Sequence, residues 1–342
     1  MNKTALLLLT LAASGGLGRA QDADIDPTRL GTLSFYMEND TFASTDENYT
    51  SGAFIGYTSP GSRHYADNST IGGIFDGLTW TGGGEYERHV AFGIGQQFFT
   101  PVDTRTRALL EDQRPYAGWL YGSFGLVWKS PKVKNSLIFN IGVVGPWARA
   151  EETQRYVHER LGQSYPEGWD NQIGNEIGIN MAYEKKWRIR DREDATGFDW
   201  DVLPYFGASL GNVNTSANIG TEIRFGYNLP DDFGSGGIAE TASTPTAVND
   251  PAYAKPWRRP FGVHVFARAE GRGVVRNIFL DGNTFRDSHS VDKYPFVGDL
   301  SAGLAFNWKN TKLTYAMVYR TKEFEGQQGG QLFGSIMLSL NF

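Results

Sequence analysis

The chain of 342 residues contains no cysteine, so it cannot be a small secreted domain held together by disulfide bonds. After residue 20 it also has no apolar run as long as a transmembrane helix requires. The net charge is −6, and charges of both signs are dispersed. No basic face for nucleic acid is therefore expected. Without disulfide bonds, a stable fold requires either a chain long enough to bury a large core or a sheet that closes on itself.

Residues 1–20 have the pattern of a secretory signal peptide. Lys3 supplies the positive end, residues 5–13 form a short apolar run, and Gly18-Arg19-Ala20 is a small-x-small cleavage site. We expect an exported protein in which residues 21–342 form a single domain.

The composition and the alternation of side chains favour a membrane β-barrel. The chain has 42 glycines and 14% aromatic residues, yet its mean hydropathy is only −0.38. In residues 299–308, apolar positions from Leu300 to Trp308 alternate with Asp299, Ser301 and Asn307. A soluble β-sandwich would place aliphatic side chains on that inner face, whereas a barrel places polar groups there. We therefore predict an all-β fold, a twelve-stranded antiparallel transmembrane β-barrel in the bacterial outer membrane.

The twelve predicted strands occupy residues 31–39, 49–58, 88–98, 119–129, 135–144, 174–187, 202–211, 217–227, 261–276, 293–308, 311–322 and 331–342. With both ends of the barrel domain in the periplasm, residues 40–48, 99–118, 145–173, 212–216, 277–292 and 323–330 connect strands on the outside. The same count makes the connections 59–87 and 228–260 periplasmic, although both are long. Trp119, Trp128, Trp169 and Trp187 are read as anchors in the aromatic girdles.

One short helix is expected in the third outer connection. In the segment AEETQRYVHERLG, residues 150–162, helical spacing puts Gln154 and His158 on one face, and Gly162 is a suitable C-terminal stop. A capping helix with an ordinary surface histidine is the simpler interpretation of this segment alone.

Polar residues from distant parts of the chain meet this helix at the outer rim. Glu38-Asn39-Asp40 ends the first strand, and Tyr49-Thr50-Ser51 begins the second. An Asx turn would explain the first cluster equally well. However, Asn39 shares the parity of Leu33 and Phe35, so its side chain is predicted to point outward, where the helix could cover it and where lipid headgroups would lie.

Several long motifs now resemble those of one family, the outer-membrane lipid A 3'-O-deacylases. They are SFYMENDTFASTDENYTSG, GQQFFTP, DQRPYAGWLYGSFGL, GVVGP, ETQRYVHERLG, GWDNQIGNE, LGNV, RNIFLDGNTF, VDKYPFVGDL and RTKEF. The resemblance implies a calcium-dependent barrel that removes the 3'-linked acyloxyacyl chain of lipid A. Its partners would be lipopolysaccharide and the surrounding outer-membrane lipid, and we expect a monomer.

Carried onto this chain, the resemblance implies an active site of Asn39, Asp40, Thr50, Gln154 and His158. Asp40 and Asn39 would be the Ca²⁺ ligands. Gln154 would orient the histidine or the water, and Thr50 would support the ligand shell. Gln163 and Ser164 stand after the helix where one branch of the family has an acidic residue.

His158 is the natural general base for ester hydrolysis by water, because it is the one histidine in this cluster. The chain offers no cysteine nucleophile and no G-x-S-x-G elbow. Two other functions remain open at this point. One is a barrel without enzymatic activity, such as a porin, an adhesin or a structural protein. The other is an outer-membrane phospholipase, which would need a serine–histidine pair on barrel strands.

Overall fold

The computed structural model describes residues 31–40, 48–65, 72–79, 86–190, 197–235 and 261–342. The strands are β1 (Thr32–Asn39), β2 (Asn48–Thr58), β3 (Glu87–Thr100), β4 (Ala117–Lys129), β5 (Val133–Val144), β6 (Glu176–Trp187), β7 (Phe198–Gly211), β8 (Asn214–Tyr227), β9 (Phe261–Asn277), β10 (Phe296–Trp308), β11 (Thr311–Arg320) and β12 (Gln331–Asn341). The helices are α1 (Gly72–Leu78), α2 (Ala150–Leu161) and α3 (Ile278–Asp281). The predicted signal peptide lies outside the described residues.

These strands form one closed antiparallel barrel in which each strand pairs with its sequence neighbours and β1 pairs with β12. The closing register runs from Thr32 opposite Asn341 to Asn39 opposite Gly334. All twelve strands were predicted from the alternation of side chains, and the predicted fold class is confirmed. Closure leaves no unpaired sheet edge, which a β-structure in a membrane requires.

The two faces of the wall differ as the alternation predicts. Along β6 the outward side chains Ile177 and Ile179 are exposed, whereas Asn180 and Glu184 are buried on the inside. This pattern suits a wall that meets lipid outside and polar groups inside. None of the helices in the described residues is long and apolar enough to cross a membrane.

The outer half of the lumen is filled by aromatic rings. Trp119 stacks on Tyr121 at a centroid distance of 4.1 Å, and Phe279 of α3 stacks on Phe99 at 4.2 Å. The guanidinium of Arg114 lies 4.6 Å from the Phe99 ring centre. The interior at this end is therefore a packed core.

A buried ion pair closes this end of the lumen. Arg114 Nη1 lies 3.3 Å from Glu323 Oε2, and both side chains are buried. Burial lowers the pKa of Arg114 to about 10, although the Glu323 carboxylate acts in the opposite direction.

The first residues of the long periplasmic connection after β8 enter the lumen. Leu229, Phe233 and Ser235 are buried, and Asp232 accepts a hydrogen bond of 2.6 Å from Lys312 Nζ. We call residues 229–235 the periplasmic plug. A tight turn in place of this plug would leave Lys312 without the Asp232 carboxylate.

Several buried charges of the barrel wall are paired with this plug. Asp232 also contacts Arg224, and Arg188 donates to the Asp232 carbonyl oxygen at 2.6 Å. The backbone N–H of Ser235 donates to Glu222 Oε1 at 3.0 Å. Since a buried charge without a partner is costly, the plug stabilises this end of the barrel.

In the other long connection, the described residues 59–65 and 72–79 pack against the outside of the wall. The Tyr65 hydroxyl donates to the Val127 carbonyl oxygen at 2.9 Å, and the Phe75 ring of α1 lies 5.3 Å from Phe124. Trp128 is buried beneath this segment. The described parts of the two long periplasmic connections thus cover the same end of the barrel from inside and from outside.

The girdle interpretation was wrong for two of the four tryptophans. Trp119 faces the lumen and Trp169 is buried beneath the outer loops, and each is at most 1% exposed. Trp187 is half-buried on the outward parity of β6, as a girdle residue would be. The physical reason for the error is that an indole fills a wide barrel interior as readily as it fills a membrane interface.

Candidate functional site

Helix α2 is held on the membrane-facing side of the barrel wall, above β3 and β4. Gln96 Nε2 donates to the Ala148 carbonyl oxygen at 2.7 Å, which fixes the chain just before the helix. Gly118 lies directly beneath, since a Cβ atom there would come within 2.5 Å of the Ala150 Cβ. Only a glycine in the wall permits this close approach of the helix.

The local sequence explains where α2 begins and ends. Arg149 precedes it in the left-handed conformation with φ 56°, and Glu151 and Glu152 occupy the first turn, where negative charge is favoured. Gly162 ends it with φ 67°, and its N–H donates to the Glu159 and His158 carbonyl oxygens. The predicted helix is therefore present with its predicted C-terminal stop.

An exposed ion pair spans the start of the helix. The guanidinium of Arg149 contacts the Glu152 carboxylate, which raises the pKa of Arg149 and lowers that of Glu152. Both side chains are exposed, so this pair contributes little to stability.

The buried face of α2 consists of residues four apart, Ala150, Gln154 and His158. Gln154 is 1% exposed and His158 is 6% exposed. The simpler interpretation, a surface histidine on a capping helix, is therefore wrong. Both polar side chains are turned toward the barrel wall, as helical spacing predicted.

The register places Asn39 on the same wall as the helix. Asn39 pairs with Ser51, Ser51 with Phe98, and Phe98 with Gly118, which lies beneath α2. Neighbouring strands are about 4.8 Å apart, so Asn39 is about 10 Å along the wall from Phe98. Glu38, its neighbour in β1, is buried on the inside, and successive side chains of a strand point to opposite faces. The Asn39 side chain therefore points outward, as the sequence predicts.

Thr50 occupies a β-bulge in this region. The pairing of β2 with β3 shifts between Tyr49 and Ser51, and the Thr50 and Thr100 hydroxyls share a hydrogen bond of 2.7 Å. A bulge redirects one side chain, and here it brings the Thr50 hydroxyl to the end of β3. Asp40 follows β1 directly and is fully buried.

A backbone carbonyl fixes the tautomer of His158. Its Nδ1 lies 2.6 Å from the carbonyl oxygen of Ser164, which can only accept a hydrogen bond. The proton is therefore on Nδ1, and Nε2 carries the lone pair. An imidazole held in this way is ready to accept a proton at Nε2. The carbonyl of Ser164 thus orients the ring although the side chain after the helix is not acidic.

Trp169 fixes the orientation of the Gln154 amide. Trp169 Nε1 donates to Gln154 Oε1 at 2.8 Å. Because an indole N–H can only donate, the amide oxygen must face Trp169 and the NH₂ group must point away from it. Gln154 Nε2 is buried and has no hydrogen-bond partner among the described residues. The helix therefore holds a preoriented pair of N–H donors beneath it.

Trp169 is a candidate site residue that sequence reasoning missed. The signal was present, because Trp169 falls within the predicted outer connection 145–173 and not at a strand end, where a girdle residue belongs. It packs against Tyr116 at a ring distance of 5.0 Å and clusters with Phe98 and Ala150.

The second outer connection braces this arrangement. Glu167 N donates to the Thr104 carbonyl oxygen and Asn171 Nδ2 to that of Arg107, both at 2.8 Å. Within this connection, the Thr106 hydroxyl donates to Asp103 and lowers the pKa of that carboxyl. The loop that holds Trp169 is thus fixed independently of α2.

The metal ligands remain a prediction. The part of the chain described by the structure contains no group of three or more His, Cys, Asp or Glu residues placed to hold a metal ion. Asp40 and Asn39 offer one carboxylate and one amide, which are oxygen donors of the kind that Ca²⁺ prefers. Asp46 and Glu47, further candidates in the first outer connection, lie outside the described residues.

In the sequence, Asp281-Gly282-Asn283 with Asp287 resembles part of a calcium loop, although a Gly/Asn turn is the simpler interpretation. In the structure, Asp281 accepts hydrogen bonds from Lys293 Nζ at 2.8 Å and from Asn277 N at 2.7 Å, and Asn283 Oδ1 accepts one from Gly174 N. These contacts hold the segment as a turn.

These features define a transmembrane β-barrel of the outer-membrane type, filled at both ends and carrying a helix-covered polar site on its membrane-facing wall. Residues 4–342 match the family model described as Outer membrane protein LpxR, and the chain belongs to this family. The resemblance to the outer-membrane lipid A 3'-O-deacylases is thereby confirmed, and the chain is a protein of the outer membrane.

The LpxR structure from Salmonella typhimurium supports the fold. The chain is similar to LpxR from Salmonella typhimurium, with a TM-score of 0.70 and 18% identity, covering 91% of this chain and 100% of that one. It also matches the β domain of the Bordetella autotransporter BrkA, with a TM-score of 0.44, 11% identity and coverage of 92% and 100%. No curated protein sequence matches the chain.

Proposed function

We propose that this barrel hydrolyses the ester that links the 3' acyloxyacyl chain to lipid A. The observation that carries the proposal is the tautomer of His158, whose Nδ1 is held by the Ser164 carbonyl and whose Nε2 is free to act as a base. The site lies on the outer wall of an outer-membrane barrel, where a lipid substrate reaches it from the membrane plane.

The reaction begins with a water molecule beside His158. Nε2 accepts a proton from the water while its oxygen attacks the ester carbonyl carbon, giving a tetrahedral intermediate with a negative oxygen. The bond to the 3' sugar oxygen then breaks, and the imidazolium returns its proton to that oxygen. The products are the free acyloxyacyl acid and lipid A with a 3' hydroxyl, so atoms and charge balance.

Calcium belongs to the proposal as a Lewis acid. Asp40 and Asn39 would hold the ion, and when bound it would supply positive charge beside the ester carbonyl. A carboxylate and an amide oxygen are hard donors of the kind that Ca²⁺ prefers, which supports this role.

The Gln154 amide supplies donors for the developing oxyanion. A buried N–H donor without a partner destabilises a protein by about 1–3 kcal/mol. A role in binding the oxyanion of the substrate would explain why the Gln154 NH₂ group is left in this state. A porin also requires an open lumen, whereas aromatic rings and the periplasmic plug fill this one. These two observations favour the enzyme over a barrel without activity.

The direct test uses the purified barrel in detergent with lipopolysaccharide and excess calcium. Mass spectrometry measures the release of the acyloxyacyl acid. We expect release when calcium is present, no release when a chelator is added, and renewed release when calcium is restored. Release that is indifferent to the chelator would remove calcium from the mechanism. The absence of release under all conditions would contradict the proposed function.

Changing Gln154 to glutamate tests the donor role of its NH₂ group separately from the acceptor role of its side-chain oxygen. Glutamate still accepts a hydrogen bond from Trp169 but offers no N–H donor to the substrate. We expect kcat to fall by about 10²- to 10³-fold, as for the loss of one oxyanion donor. Steady-state kinetics on micellar lipid A would measure this change.

Trp169→Phe keeps the ring packing but releases the amide oxygen of Gln154. Its kcat should fall by a smaller factor, about tenfold, with KM little changed. The matched control is Trp147→Phe, because Trp147 is exposed just before the same helix. Equal activity of the Trp169 and Trp147 variants would show that the indole N–H does not matter.

A further inference from the structure

The connection between β2 and β3 presents an apolar helix face on the outside of the barrel. Ile74 and Leu78, four residues apart on α1, are 66% and 56% exposed. Four-residue spacing puts them on the same side of the helix. Two adjacent large aliphatic side chains in water would be unfavourable, and nothing in the proposed reaction uses them.

Helix α1 is fixed to the wall on its other side. Phe75 packs against Phe124 at 5.3 Å and edge-on against Tyr65 at 6.3 Å. Tyr65 is buried, and its N–H donates to Asp76 Oδ1 at 3.1 Å. Arg88 Nε lies 3.3 Å from the same oxygen. The orientation of the helix on the barrel is therefore set by aromatic packing and by a polar anchor.

The surface beside α1 is the lipid-facing wall itself. Phe124 packs against Phe92 at 5.4 Å, and Phe92 and Ile94 are exposed on the outward face of β3. Helix α1 therefore lies against the surface that meets the membrane, and Ile74 and Leu78 are exposed on it there. Inserting these two side chains among acyl chains would remove both from water, which is favourable.

We propose that α1 is an interfacial foot, inserted through Ile74 and Leu78 into the periplasmic leaflet of the outer membrane. Its partner is the phospholipid of that leaflet. The foot fixes the depth of the barrel at the periplasmic ends of β3 and β4, the two strands whose outer ends lie beneath α2. The candidate site is thereby held at the level of the outer-leaflet headgroups. A short helix with one apolar face is suited to lie in the plane of an interface.

The absence of cysteine makes this proposal directly testable, because one introduced cysteine is a unique labelling site. Ile74→Cys and Leu78→Cys carry an environment-sensitive fluorophore, and each protein is reconstituted into phosphatidylcholine vesicles. Ile94→Cys on the lipid-facing wall is the positive control. Arg63→Cys, exposed in the same connection, is the aqueous control.

Labels at 74 and 78 are expected to be quenched by a nitroxide-bearing phospholipid to within about twofold of the label at 94. They should also resist aqueous iodide, which quenches the label at 63. Iodide quenching of 74 and 78 equal to that of 63 would overturn the proposal. Labels at 74 and 78 that were protected from both the nitroxide and iodide, and more so at higher protein concentration, would also overturn the proposal. A second copy of the protein would then cover the helix.

Discussion

Replacement of His158 by alanine is expected to lower the rate of lipid A deacylation by about 10²- to 10⁴-fold, the usual contribution of a general base. The alanine side chain cannot take a proton from water, and the Ser164 carbonyl loses its donor. Because His158 lies on a loop helix outside the barrel wall, the barrel should still fold and unfold as the wild type does. Initial rates on lipopolysaccharide with saturating calcium measure the effect.

The matched control is His289→Ala. His289 lies in another outer connection, is partly exposed, and contacts the Glu111 carbonyl oxygen at 3.3 Å. Its replacement should leave the rate unchanged. Full activity of His158→Ala would show that another group activates the water, whereas equal losses in both variants would indicate a general effect on the outer loops.

The second large effect is expected on stability and concerns Asp232 in the periplasmic plug. Asp232→Ala removes a buried carboxylate that neutralises Lys312 and Arg224, so we expect a loss of about 3–5 kcal/mol in the free energy of unfolding. Denaturant titration of the barrel in detergent measures this difference. Asp231→Ala is the control, since the Asp231 side chain is 53% exposed and its pair with Arg188 should contribute at most about 1 kcal/mol.

The pH dependence of this difference has a definite sign. Burial by itself raises the pKa of Asp232, but the charges of Lys312 and Arg224 outweigh it and hold the pKa well below its usual value. The carboxylate therefore stabilises the fold fully above the pKa of an unfolded aspartate, about 3.9, and the contribution disappears as the pH falls through the lower folded value. The difference between wild type and Asp232→Ala should be constant from pH 7 to about 5 and shrink only in stronger acid. A difference that already vanished near pH 6 would contradict this account of the plug.

Most of the barrel could be predicted because a strand in a membrane wall has a strict period of two. Leu300 to Trp308 alternate with polar residues, and the outward and inward faces of β10 follow from that alternation. Helix α2 could also be predicted, because the spacing of Gln154 and His158 and the stop at Gly162 are local signals in the sequence. The outward parity of Asn39 followed from its neighbours in β1.

The packing of the irregular segments could not be predicted. Nothing periodic in residues 229–235 indicates that Asp232 enters the lumen, since its partners Arg224 and Lys312 are contributed by other strands. The connection with Tyr65 and Phe75 presents the same difficulty on the outside. The role of Trp169 depends on a single hydrogen bond to Gln154, which only three-dimensional contact reveals.

The most direct test of the proposed deacylation is mass spectrometry of lipid A from cells that make this protein, the His158→Ala variant, or neither, grown with calcium. A species lacking the 3' acyloxyacyl chain is expected with the wild-type protein only. Identical spectra from all three, with the wild-type barrel shown to be folded in the outer membrane, would contradict it.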